Sequence, residues 1–221
     1  MHKKVQSLVL AGMISANTLY PVVEVFANTK TGIESKVNSV IKAEEEQIYL
    51  SDMNYEKGSK AGWGQIRKDT NVDGNGLIKL NVDGETKEFE KGMAAHATST
   101  LIYNVSQYKD TYTRFVSYLG IDAGRGSNGN GVKFTISLSE DGQNWTEVKT
   151  TDVLKGNNES AYVDIELGNA NYIKLYAHDN GADGSDHAVY GDAKLVKPDY
   201  SLSGTPIEGL HHVHDSVTQQ D

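Results

Sequence analysis

The chain has 221 residues, a formal charge of −9 and no cysteine, and it is 38% hydrophobic, 8% aromatic and 23% charged. That is enough apolar material for one well-cored domain plus extra segments, and it excludes a disordered chain and a disulfide-stapled scaffold. The acidic balance argues against nucleic acid or an anionic membrane surface as partner.

In chain order, the first element is an export signal. His2, Lys3 and Lys4 supply a positive start, an apolar stretch follows, and Val25-Phe26-Ala27 resembles a cleavage site, so residues 1–27 read as a signal peptide cut after Ala27. A membrane anchor is the rival reading, but Ser15, Asn17, Thr18 and Pro21 make the stretch a poor permanent span. Export without cysteine suits a protein secreted by a Gram-positive bacterium. Residues 28–46, polar and carrying Glu44, Glu45 and Glu46 in a row, read as a linker.

From Gln47 the texture changes to strands and turns. LIKLNV and ETKEF flank Asp83-Gly84, a two-residue hairpin signature in which both residues tolerate the positive φ the turn needs. Further strands are expected over 100–105, 114–121, 132–139, 145–149, 162–167, 172–177 and 193–196. Twelve tyrosines and 22 glycines against three prolines fit short strands joined by tight turns. The pattern predicts an all-β fold, an antiparallel β-sandwich over residues 47–197. Residues 198–221 read as a linker or the start of a further module, and His211, His212 and His214 as a tail cluster rather than a metal site.

Three loops carry the chemistry. Gly124, Gly126 and Gly129 have the spacing of a dinucleotide-binding loop, yet Val132, Phe134, Ile136 and Leu138 then alternate with polar residues. A strand follows where that motif requires a helix, so the glycines belong to a strand-to-strand loop. Asp69, Asn71, Asp73 and Gly74 reproduce the first half of a calcium loop, but Leu80 stands where an EF-hand needs its bidentate Glu. The choice for a non-EF calcium site is Asp69, Asp73 and Asn75, with Asp179, Asp183 and Asp186 as the rival loop. Trp63 and Tyr190 both sit among glycines in expected loops, where an aromatic face can meet a sugar ring; the alternative for Trp63 is that it caps the sandwich core. No G-x-S-x-G nucleophile elbow and no H-E-x-x-H occurs.

Several segments together carry a resemblance: YLSD, GWGQIRKD, the G-x-x-x-x-F-x-K-G-M-A-A-H-A run from Gly84 to Ala97, TRFVSYLGID, GRGSNGNGVKFTIS, SEDGQNW and GSDHAVYGDAKL. In order and spacing they resemble the NPCBM domain, also called carbohydrate-binding module family 51. The resemblance implies a β-sandwich of galactose-binding-domain (jelly-roll) type, non-catalytic and attached to secreted enzymes. It also implies galactose or blood-group A and B glycans as ligands, and structural calcium. It places Trp63, His96, Arg125, Asp186 and Tyr190 at the sugar site. Where many relatives have Trp in D-H-A-D-W, this chain has Val189-Tyr190.

The function expected is therefore a monomeric targeting module that holds a covalently linked, secreted glycoside hydrolase near galactose-containing glycans. The alternatives are a protein-interaction or structural module on the same fold without a sugar site, and a small glycosidase in its own right.

Overall fold

The computed structural model describes residues 47–182 and 184–201. The expected export signal, the linker before Gln47, Asp183 and the tail histidines lie outside these residues.

Twelve strands form the described region: β1 Gln47–Tyr49, β2 Arg67–Lys68, β3 Ile78–Val82, β4 Glu85–Phe89, β5 Gly92–His96, β6 Ser99–Asn104, β7 Arg114–Ile121, β8 Val132–Ser139, β9 Thr146–Leu154, β10 Ala161–Glu166, β11 Tyr172–His178 and β12 His187–Val196. One sheet runs β10-β7-β12-β5-β2, with β1 also paired to β12; the second runs β6-β11-β8-β9; β3 and β4 form a separate hairpin. Every pairing between strands is antiparallel, so the fold is the expected antiparallel β-sandwich.

β12 organises the first sheet. Along one edge it pairs with β7, and along the other it pairs first with β5, through His187 to Gly191, and then with β1, through Lys194 to Val196. Between these partners the register shifts at residues 191–194, where Asp192 takes a left-handed φ of 54° and donates its N–H to the Lys91 carbonyl. This bulge lets one strand serve two successive neighbours.

The main core lies between the sheets, with Phe115, Leu119, Phe134, Ile136, Leu175 and Leu195 among its buried members. A second cluster covers the outer face of the first sheet: Ile78, Leu80 and Val82 of β3 pack with Val72, Ala94 and Val189. Asp83 and Gly84 turn the hairpin with φ of 57° and 78°, as the Asp-Gly signature requires. Gly120 leaves room for the hairpin; a Cβ there would lie 2.7 Å from a Leu80 methyl.

This double coverage explains two differences from the sequence reading. GMAAH is a strand, β5, buried at every position, and β12 begins at His187 rather than at residue 193. With apolar matter on both faces there is no inside-outside alternation to betray a strand. β9 also extends to Leu154, beyond the 145–149 expected.

If the hairpin is integral to the fold, Leu80→Ala destabilises the protein by about 2–4 kcal/mol, read as a lower urea midpoint. A change under about 0.5 kcal/mol, the range of surface substitutions, would show that the outer cluster contributes little.

Candidate functional site

The antiparallel order brings one set of corners together. β5 and β7 finish, and β12 starts, at the same end of the first sheet, since His187 pairs with His96 and Ala188 with Ile121. In the second sheet β11 finishes there while β8 starts, because His178 pairs with Lys133. The connections 97–98, 122–131, 179–182 and 184–186 therefore meet at one pole. Residues 61–66 join them, because they precede β2, whose Arg67 pairs with Ala94.

These loops are tied to one another. Asp122 accepts from the Gly124 N–H at 2.9 Å, capping a short 3-10 turn over Ala123–Arg125, while its own N–H donates to the His187 carbonyl at 3.0 Å. Asn130 Nδ2 donates to the Asn180 carbonyl at 2.6 Å and Asn180 Nδ2 to the Asn130 carbonyl at 3.2 Å. Gly129 holds φ at 77°, and a Cβ there would collide with the Gly184 carbonyl. The glycines of this loop thus allow close packing of two loops.

Trp63 stands at the rim, 68% exposed. It does not cap the core. Its platform is fixed, because the Gly62 N–H donates to the His96 carbonyl at 2.8 Å and a Cβ at Gly62 would collide with the Ala97 carbonyl. The indole meets the His96 ring edge-on with centroids 6.1 Å apart, and His96 meets His187 at 5.4 Å. Both imidazoles are buried, and His96 Nδ1 is hydrogen-bonded to the Ala97 carbonyl at 2.8 Å, which makes that nitrogen the donor. Burial, then the Arg125 cation, lower the His187 pKa, and His96 adds to the effect; Asp73 and Asp122 oppose it.

Arg125 lies at the same pole and donates through Nη2 to Asp73 Oδ2 at 2.5 Å. His187 Nδ1 is 4.0 Å from that oxygen. The three residues expected to bind calcium each have another partner. The Asp69 carboxylate accepts from Lys91 Nζ at 2.8 Å and from the Gly92 N–H at 3.0 Å, Asp73 serves Arg125, and Asn75 Oδ1 accepts from Asn71 Nδ2 at 3.1 Å. Burial raises the Asp69 pKa, but the Lys91 cation and the Gly92 N–H that donate to the carboxylate outweigh that and lower it overall. Among the described residues no three of His, Cys, Asp and Glu gather as a metal site. The set Asp69, Asp73 and Asn75 does not fit a calcium ion as these side chains are arranged.

Two further expectations need correction. Tyr190 is a residue of β12, not of a loop; it is 0% exposed and packs edge-on against Phe134 at 5.5 Å. It belongs to the core and has no face to offer a sugar. Asp186 is likewise 0% exposed, its carbonyl accepting from the N–H groups of Ala97 and Ala188, so it lies beneath the surface of the loops rather than gripping hydroxyls. Trp63, His96 and Arg125 do share the pole. The sequence reading missed His187 and the pairing of Asp73 with Arg125. GSDHAVYGDAKL contains His187, but its place beside His96 follows only from the strand register.

The family model for the NPCBM/NEW2 domain matches residues 46–196. The chain belongs to the NPCBM/NEW2 family. A CBM51 module of Clostridium perfringens GH95, described in complex with methyl-galactose, is 30% identical with a TM-score of 0.61, over 68% of this chain and 99% of that one. A C. perfringens ZmpB structure holding an M60 catalytic domain with two CBM51 domains is 34% identical with a TM-score of 0.60, over 68% of this chain and 15% of that one. Another ZmpB structure, with CBM51-2 in complex with GlcNAc, is 28% identical with a TM-score of 0.60, over 69% of this chain and 32% of that one. A curated relative named as a putative endo-alpha-N-acetylgalactosaminidase, from Renibacterium salmoninarum, is 28% identical over 168 residues, 74% of this chain. The chain spans about a tenth of that relative's length. By family and fold the described region is a carbohydrate-binding module.

Two predictions follow from the buried groups. In the folded protein His187 resists protonation, so as pH falls through its ordinary value of 6.5 the unfolded chain takes up the proton first and stability declines. Unfolding midpoints compared at about pH 7.5 and about pH 5 should differ, and His187→Gln should narrow the gap; an equal gap in the variant contradicts this. Tyr190→Phe removes a buried hydroxyl that has no protein partner, so stability should hold or rise by up to about 1 kcal/mol. A loss of more than about 1 kcal/mol would mean that the hydroxyl is bonded.

Proposed function

We propose that the chain is a non-catalytic module that binds galactose-containing glycans at the loop pole around Trp63, and that it holds a linked glycoside hydrolase of a secreted protein near them. The observation that carries this reading is Trp63, 68% exposed on a backbone pinned to the corner between β5 and β6. An exposed indole on a rigid loop gains roughly 25 cal/mol for each Å² of apolar surface that a ligand covers. The C–H face of a sugar ring supplies such a surface, while Arg125 at the same pole offers charged donors to its hydroxyls.

The related module described with methyl-galactose supports galactose as the sugar, and the one described with GlcNAc makes N-acetylglucosamine the natural comparison ligand. The presence of such modules beside an M60 catalytic domain, and the match to part of a much longer glycosidase-named relative, support a tethering role. A single shallow polar site binds in roughly the micromolar to millimolar range. Tethering makes that sufficient, because the linked enzyme then meets its substrate at a raised local concentration.

Calorimetry of the chain with methyl-galactoside, blood-group A and B trisaccharides and N-acetylglucosamine tests the reading. Galactose-containing ligands should bind, and Trp63→Ala should weaken them about tenfold or more while stability stays within about 0.5 kcal/mol. Unchanged affinity in the variant, or no binding by the folded wild type, contradicts the proposal.

A further inference from the structure

We propose that Asp73 is a positioning residue of the loop pole, one whose carboxylate fixes the Arg125 guanidinium in place before any sugar arrives. The inference rests on the carbohydrate reading above. Its basis is the geometry of two loops from distant parts of the sequence.

The loop of residues 69–76 is closed on itself. The Asn71 N–H donates to the Gly76 carbonyl at 2.8 Å, the Gly74 N–H to the Asn71 carbonyl at 2.9 Å, and the Asn75 N–H to Asn71 Oδ1 at 3.2 Å. Val72 anchors it, 5% exposed in the cluster on the outer face of the first sheet. Gly74, with φ at 72°, passes so close to the Arg67 side chain that a Cβ would lie 3.0 Å from its guanidinium carbon. A loop held at Val72 and Gly74 leaves the intervening Asp73 little freedom.

Arg125 comes from the other side, on the turn capped by Asp122, and its carbonyl accepts from the Asn128 N–H at 3.2 Å. Its Nη2 lies 2.5 Å from Asp73 Oδ2, and the two side chains are each 34% exposed. An exposed ion pair contributes little to stability. Its value is geometric: an arginine free in solvent must give up rotamer freedom to grip a ligand, whereas one already held loses less. Asp73 takes one N–H of Nη2 and the Nε–H is buried, so it is the remaining Nη N–H groups that stay able to donate to sugar hydroxyls. The carboxylate that the calcium-like spacing marks as a cation ligand thus has a cation, and it is the guanidinium of Arg125.

Two measurements test this, the first without ligand. In the 15N-labelled chain the Arg125 side-chain N–H signals should be resolved and exchange slowly with water, and Asp73→Asn should broaden them or speed their exchange. Signals that are the same in both proteins overturn the proposal, whether or not sugar binds. The second is a double-mutant cycle on methyl-galactoside affinity. Asp73→Asn should weaken binding about tenfold, and Asp73→Asn with Arg125→Gln should bind no worse than Arg125→Gln alone. Losses that simply multiply, or an Asp73→Asn variant that binds like wild type, overturn it. Thermal unfolding accompanies every variant. Should Asp73→Asn fail to fold, Asp73→Glu, which restores the charge, takes its place: retention of most of the affinity and of the Arg125 signals is expected, and loss of both overturns the proposal. A wild type that binds none of the glycans counts against the functional reading, leaving the ligand-free measurement to decide the role of Asp73.

Discussion

The pairing of β12 with β5 is the constraint on which the rest depends. It sets His187 opposite His96, Ala188 opposite Ala95 and Gly191 opposite Gly92. Shifting this register by one residue would turn Tyr190 and Ala188 away from the inter-sheet core and Val189 away from the outer cluster. Two hydrophobic clusters, one on each face, therefore fix the same few backbone hydrogen bonds. The site inherits that precision, since its two imidazoles sit at the final rung of the ladder.

Stiffness at the loop pole has a second source in the hydrogen bonds between loops. The glycine loop is bound to residues 179–182 through Asn130 and Asn180, to β12 through Asp122, and to the 69–76 loop through Arg125. The Trp63 loop is bound to the corner after β5 through Gly62. The sugar contact proposed for this surface would gain from such preorganisation, because little order remains to be imposed on binding. The exposed indole and the half-exposed guanidinium of Arg125 are the parts of this end proposed to meet the ligand.

The sandwich was legible in the sequence wherever one face of a strand meets solvent. β8 alternates Val132, Phe134 and Ile136 with polar residues, and the Asp83-Gly84 turn announces its hairpin. β5 and the first half of β12 gave no such signal, because the hairpin covers the face that would otherwise carry polar residues. The glycines around Tyr190 misled for the same reason: Gly191 stands where a Cβ would lie 3.1 Å from Leu80 and Phe89, a packing need rather than a loop signal. Of the residues that share the loop pole, Trp63 drew notice by its neighbours and His96 and Arg125 by the family motif. The partnership of Asp73 with Arg125, 52 residues apart, depends on tertiary contact. Spacing alone could show that Asp73 sought a cation, not which one.

The measurement that tests the account most directly is backbone amide chemical-shift mapping of the 15N-labelled chain titrated with methyl-galactoside. The account predicts saturable shifts confined to residues 61–65, 96–98, 122–131 and 184–187, with the Trp63 indole N–H among the largest. Shifts centred on the opposite pole, around residues 139–146 and 167–170, or a spectrum unchanged by the sugar, would contradict it.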